Sequence, residues 1–220
     1  MVFLTSVVLA QDVELPEDEG TALESGNLLI EITSSPFGRD GNADLLNFGQ
    51  FRARYALNEQ IVPRLGIWFS VDDNFSGLST PDEVVTVTEM MFTPGVEYHF
   101  VNENGFTSYA ALDVIVSSRS ILLESATDSD VSGIGITPSD DNPSSSINNR
   151  GYFGLGGYAA AGAEYHFASG FYIGAEIGFY AMSGTTEDVE VDGVLFQEGF
   201  KFFDAGVRTA NSFRIGFKLL

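Results

Sequence analysis

The sequence predicts an all-β chain, an eight-stranded antiparallel transmembrane up-and-down β-barrel with a polar, charge-filled interior. Three observations predict it. Apolar residues alternate along the chain with a period of two, and no stretch keeps a helical period. Tight turns and long polar loops take turns as connections. The face opposite the apolar one carries glycine and nearly balanced charge.

The alternation is plainest between Gly170 and Met182. Phe171, Ile173, Ala175, Ile177 and Phe179 share one face, and Tyr172, Gly174, Glu176, Gly178 and Tyr180 share the other. The last ten residues, NSFRIGFKLL, repeat the pattern. Strands are expected at about 27–37, 47–57, 61–71, 85–101, 105–117, 151–168, 170–182 and 211–220. Asn58-Glu59-Gln60, Asn102-Glu103-Asn104 and Ser169-Gly170 read as hairpin turns. Segments 38–46, 72–84, 118–150 and 183–210 read as long polar loops. The tight turns and both termini therefore gather at one end of the assembly and the long loops at the other, the plan of a bacterial outer-membrane barrel.

A chain of 220 residues suits a single barrel domain. With no cysteine there is neither disulfide framework nor thiolate chemistry. A net charge of −21 with only 10 Lys and Arg excludes a nucleic-acid partner. No apolar run reaches the length of a membrane helix. Residues 1–10 are expected to be a truncated signal peptide, with Val8-Leu9-Ala10 as its cleavage signal and without the usual basic start. Residues 11–25 are expected to form an acidic disordered tail, and 26–220 the barrel.

The second face decides what the first one meets. Its charged members are Glu31, Arg52, Arg54, Arg64, Glu89, Glu97, Asp113, Glu164, Glu176, Arg214 and Lys218. Glycines share it, among them Gly66, Gly95, Gly162 and Gly216. A soluble, lipocalin-like barrel would expose this face to water, where strand glycine packs nothing. Inside a narrow barrel, glycine makes room for long charged side chains, and opposite charges pair. The apolar face then meets lipid. The wall holds six acids and five bases, whereas the four long loops hold 17 acids and five bases, so most of the acidity lies in water.

The tetrapeptide Glu-Tyr-His-Phe occurs twice, in GVEYHF and GAEYHF, and holds the only histidines, His99 and His166. By parity Glu97, His99, Glu164 and His166 point inward. Tyr98, Phe100, Tyr165 and Phe167 point outward near the tight turns, where they are expected to form an aromatic girdle. The repeat reads as one hairpin entry used twice rather than as a catalytic or metal site.

GVEYHF and GAEYHF before tight turns, the strand GFYIGAEIGFYAM and the terminal FRIGFKLL resemble the small eight-stranded OmpA/OmpX-like outer-membrane barrels, Bacteroidetes-type proteins in particular, over about residues 25–220. In that family the last strand is read by the outer-membrane assembly machinery and often ends in an aromatic residue. This chain ends in Leu219-Leu220, with Phe217 as its last aromatic. The resemblance implies a non-enzymatic, monomeric protein of the cell outer membrane. It would contact outer-membrane lipid and the assembly machinery and present long acidic extracellular loops in a structural, adhesive or ligand-capture role. No catalytic residue and no cofactor are expected. A small-solute or ion channel is the first alternative. A lipid A-modifying enzyme is the second, although no His-x-Ser occurs and both histidines lie at the tight-turn end. Asp40, Asn42 and Asp44 form a weak calcium-loop candidate that lacks the downstream glutamate. Asp72-Asp73, Asp128 and Asp130, Asp140-Asp141 and Glu187-Asp188 are acidic clusters suited to an extracellular ligand, to divalent cations, or simply to keeping copies apart.

Overall fold

Alternating side chains leave the backbone one way to satisfy its donors and acceptors, which is pairing with neighbouring strands. A computed structural model of the chain describes residues 22–34, 48–75, 83–125, 130–134, 149–167, 170–208 and 213–220. The signal-peptide segment, most of the acidic tail and the calcium-loop candidate Asp40, Asn42 and Asp44 lie outside the described residues.

The described chain is all-β. Among the described residues there are twelve strands where eight were expected: β1 (Leu28–Ser34), β2 (Phe48–Tyr55), β3 (Ile61–Phe75), β4 (Glu83–Glu103), β5 (Phe106–Ser125), β6 (Val131–Ser132), β7 (Tyr152–His166), β8 (Phe171–Thr186), β9 (Val189–Val191), β10 (Val194–Gln197), β11 (Lys201–Arg208) and β12 (Phe213–Lys218). The eight expected segments are β1 to β5, β7, β8 and β12. The additional four fall where 118–150 and 183–210 were expected to be loops. β11 is the largest correction. It pairs along β8 from Lys201↔Thr185 to Arg208↔Gly178, and β12 continues along the same strand from Phe213↔Ala175 to Phe217↔Phe171.

All pairings are antiparallel. They run β1–β2–β3–β4–β5–β7–β8–β12 and return to β1, where Leu29 faces Lys218. The circuit is uneven and not a regular barrel: β1 and β2 have 7 and 8 residues, whereas β4 and β5 have 21 and 20. The hairpin between β4 and β5 turns at Asn104-Gly105, both at positive φ (51° and 76°), one step beyond the expected Asn102-Glu103-Asn104. Asn-Gly suits that geometry because glycine meets no Cβ penalty there and Asn tolerates it.

The outward row of β4 reads Phe100, Tyr98, Val96, Phe92 and Met90, all exposed, then Thr88 and Thr86. On β3 the same row runs through Ile67, Phe69 and Val71 to Asp73. Ten residues of tilted strand give this apolar row a height of about 25 Å. Leu112 is 65% exposed and Phe69 63%, while Glu97 and Arg214 on the other face are 0% exposed.

Two small apolar clusters lie at opposite ends of the described strands. At the tight-turn end, Leu29, Ala56, Val62 and Tyr172 pack around Leu23. Residues 22–25, assigned by sequence to the disordered tail, are placed there. Leu23 N donates to Asn102 Oδ1 (3.1 Å), Asn102 Nδ2 donates to Leu23 O (2.8 Å), and Ser25 Oγ donates to Leu57 O. At the long-loop end, Leu123, Val131, Ile134 and Val189 form a cap core with Val85 and Val191 against it. β5, β6 and β9 supply it through Leu123↔Val131 and Val131↔Val191.

Candidate functional site

The inward faces of β1, β2, β3, β4, β5, β7, β8 and β12 converge on one cluster of charge. Arg52, Arg54, Arg64 and Arg214 meet Glu31, Glu97, Asp113, Glu164 and Glu176, and all nine are buried. Residues far apart in sequence meet because each strand contributes every second side chain to the same narrow space.

Each guanidinium is shared. Arg54 donates to Glu164 through Nη1 and Nη2 (3.1 and 2.9 Å) and to Glu97 through Nε (3.1 Å) and Nη2. Arg64 binds Asp113 with two parallel bonds, Nε to Oδ1 at 2.7 Å and Nη2 to Oδ2 at 2.6 Å. Its Nη1 also reaches Glu97 (3.0 Å) and Glu176 (2.6 Å). Arg214 holds Glu31 through Nε and Nη2 (3.0 and 2.6 Å) and lies 3.4–3.5 Å from Glu97, Glu164 and Glu176. Arg52 binds Glu31 at 3.0 Å and lies 3.6 Å from Glu176. Forked arginine–carboxylate contacts of this kind satisfy several donors at once, which buried charges require.

Two of the expected interior charges stand apart. Glu89 lies toward the long loops, half-buried, and pairs with Arg119 at 2.9 Å. Lys218 is half-buried at the tight-turn end. The girdle residues Tyr98, Phe100, Tyr165 and Phe167 are all exposed, and Phe167 packs against Tyr165 and Phe171.

The repeated tetrapeptide extends into a duplicated hairpin. His99 of β4 faces Tyr109 of β5, and His166 of β7 faces Tyr172 of β8. Gly95 faces Asp113 as Gly162 faces Glu176. Each tyrosine lies over a glycine of the following strand. A Cβ at Gly162 would meet Tyr109 Oη, and one at Gly216 would meet Tyr172 Cζ. The freed space lets Tyr109 Oη donate to Glu176 (2.8 Å) and Tyr172 Oη donate to Glu31 (2.7 Å). His166 stacks on Tyr172 with centroids 4.8 Å apart. Arg54 lies over both tyrosine rings and Arg214 over Tyr109, contacts in which a cation meets the negative ring face.

Sequence reasoning missed both tyrosines. Their signal was present: an acid follows each by four residues, Asp113 after Tyr109 and Glu176 after Tyr172. It also missed Gln50, whose Nε2 donates to Thr93 Oγ1, and Thr33, which links to the Gln50 backbone.

The histidines touch carboxylates of the cluster. His99 Nε2 lies 2.9 Å from Glu97 Oε2, and its Nδ1 contacts Thr107 Oγ1. His166 Nε2 lies 3.2 Å from Glu164 Oε1. Thr107, His99 and Glu97 thus follow the order of a hydroxyl, a base and its orienting acid. Thr107 is fully buried, and Arg54, Arg64 and Arg214 all bind Glu97, so that carboxylate is engaged by the ionic cluster as well as by the histidine. Among the described residues no group of three metal-ligating acids, histidines or cysteines is placed to hold a metal ion.

Above the cluster, Arg150 is buried in the cap beside Phe200. Its Nη1 donates to Gln197 Oε1 (3.1 Å) and its Nη2 to Glu187 O (2.6 Å). Burial pushes the Glu187 carboxyl above its ordinary value, against the opposing pull of a hydrogen bond with Ser120 and the charge of Arg150. Asp72 and Asp73 lie on β3 and accept from Ser70 and Thr86. Asp128, Asp140 and Asp141 lie outside the described residues.

The chain matches no protein-family model, no curated protein and no solved structure.

Proposed function

We propose that this chain is a non-enzymatic integral protein of the outer membrane, an eight-lane β-barrel in which β11 and β12 together make the eighth lane. It is anchored by lipid around its wall and presents an acidic cap on the long-loop side. The observation that carries this reading is the inversion of the wall. Nine charged side chains are buried inside, while a band of Phe, Leu, Ile, Val and Met is exposed outside. Soluble monomers rarely expose contiguous apolar patches beyond a few hundred Å². In a bilayer the same band is where the apolar residues belong, and strand-to-strand pairing is how a spanning backbone satisfies its polar groups. The likeness of GVEYHF, GAEYHF and FRIGFKLL to OmpA/OmpX-like barrels supports the same assignment.

The sealed interior favours an anchored, surface-presenting role over a channel. Four guanidiniums cross-link the lumen, and Leu23 packs beneath them at the tight-turn end. The test is cell fractionation with gel mobility before and after boiling. Recovery with the outer membrane and a heat-dependent mobility shift are expected. Soluble recovery without detergent contradicts the proposal.

A further inference from the structure

The cap carries one feature that neither the barrel wall nor its ionic interior uses. β9 and β10 form a hairpin closed by Asp192-Gly193, both at positive φ (50° and 74°). β9 is held in place: Val191 and Glu190 pair with β6, and Val189 is fully buried in the cap core. β10 is the last strand of its sheet, beyond β9, β6 and β5, so among the described residues no strand pairs with its outer edge. Its side chains Val194, Leu195 and Phe196 are 68%, 52% and 47% exposed. Gln197, fixed by Arg150, anchors the strand at its far end.

An exposed apolar edge is a template for another strand. The flanking residues select which one. Asp188, Glu190, Asp192 and Glu198 are all exposed around β10. If a second copy paired antiparallel about Leu195, Asp192 of each chain would face Glu198 of the other, and like charges directly opposite are destabilising. A strand with Lys or Arg at those two positions would meet acids there.

We propose that β10 is a docking edge for an extended basic segment of another protein. That segment adds as an antiparallel strand, placing apolar side chains against Val194, Leu195 and Phe196 and cations against Asp192 and Glu198. Backbone pairing supplies affinity, and charge complementarity excludes self-association. The inference rests on the membrane reading only in that the long-loop end must face water.

The probe is a labelled nonapeptide with a Val-Ile-Val centre and lysines six residues apart, followed by fluorescence anisotropy with the full chain in lipid nanodiscs. Two control peptides carry Glu in place of Lys, or Pro at the centre. Binding of the lysine peptide is expected, weakened at least about tenfold by either control change and by the double variant Leu195→Ser/Phe196→Ser. Equal binding of the proline peptide, binding that the double variant leaves intact, or no binding overturns the proposal. Dimerisation of the unmodified protein that the double variant abolishes also overturns it, because the edge then serves a second copy. Heat-dependent mobility of the same samples reports independently on the membrane reading.

Discussion

Arg54 on β2 and Glu164 on β7, 110 residues apart in the chain, share two hydrogen bonds across the lumen at 3.1 and 2.9 Å. The same guanidinium holds Glu97, so one side chain ties together β2, β4 and β7.

Removing Arg54 leaves Glu97 and Glu164 short of a cation in a confined space. Arg54→Ala is expected to destabilise the fold by about 3–5 kcal/mol, the usual consequence of breaking a buried pair from one side. Glu89→Ala removes a half-exposed pair with Arg119 and should stay within about 1 kcal/mol. Urea unfolding in lipid vesicles compares the two. Equal effects would mean that water reaches the cluster.

The tyrosine–glycine contacts predict a steric result. Gly216→Ala places a methyl group against the Tyr172 ring, and Gly162→Ala places one against Tyr109. Each should lower stability by about 1–3 kcal/mol, as overpacking does. Gly157→Ala serves as the control, because the nearest atom to its added carbon is 3.8 Å away. It should change stability by less than about 0.5 kcal/mol in the same unfolding assay.

Leu23 and Asn102 make a local prediction. Asn102→Ala removes both side-chain bonds to the Leu23 backbone. Hydrogen exchange at residues 22–27 should accelerate, while the amides of β5 and β7 stay protected, since terminal segments open below the global free energy. Uniform acceleration would mean that the segment supports the whole sheet.

Glu187 gives the cap a pH dependence of definite sign. Its carboxyl is raised by burial, so the folded cap binds a proton more tightly than the unfolded chain does. Cap stability should therefore fall as pH rises from the ordinary glutamate range through the raised value. Hydrogen exchange across 149–152, corrected for intrinsic rates, should show this slope in the unmodified protein and lose it in Glu187→Gln. An unchanged slope in the variant assigns it to another group.

Much of the wall was legible because a period of two fixes which side chains share a face. The parity of Glu97 and Glu164 placed both in the lumen with no knowledge of register. What parity does not carry is stagger, the vertical offset between neighbouring strands. Arg64 meets Asp113 on β5 and Glu176 on β8 as well as Glu97, and sequence order alone does not bring β3 to β8. Glu89 has the right parity but lies too high on β4 to reach the four arginines. β11 was missed for another reason. Phe203, Ala205 and Val207 alternate correctly, but the strand lies amid acidic residues and is separated from β12, so it read as loop. The buried cap arginine, Arg150, gave no pattern at all, because its partners Gln197 and Glu187 come from a different segment.

The most direct test of the inverted wall is spin-label accessibility in bilayers, made simple by the absence of native cysteine. Single labels at Leu112, Ile177 and Phe179 are expected to collide with oxygen and to be shielded from a water-soluble nickel chelate, with a label at Asp72 showing the reverse. Strong nickel accessibility at the three outward apolar positions would contradict the account.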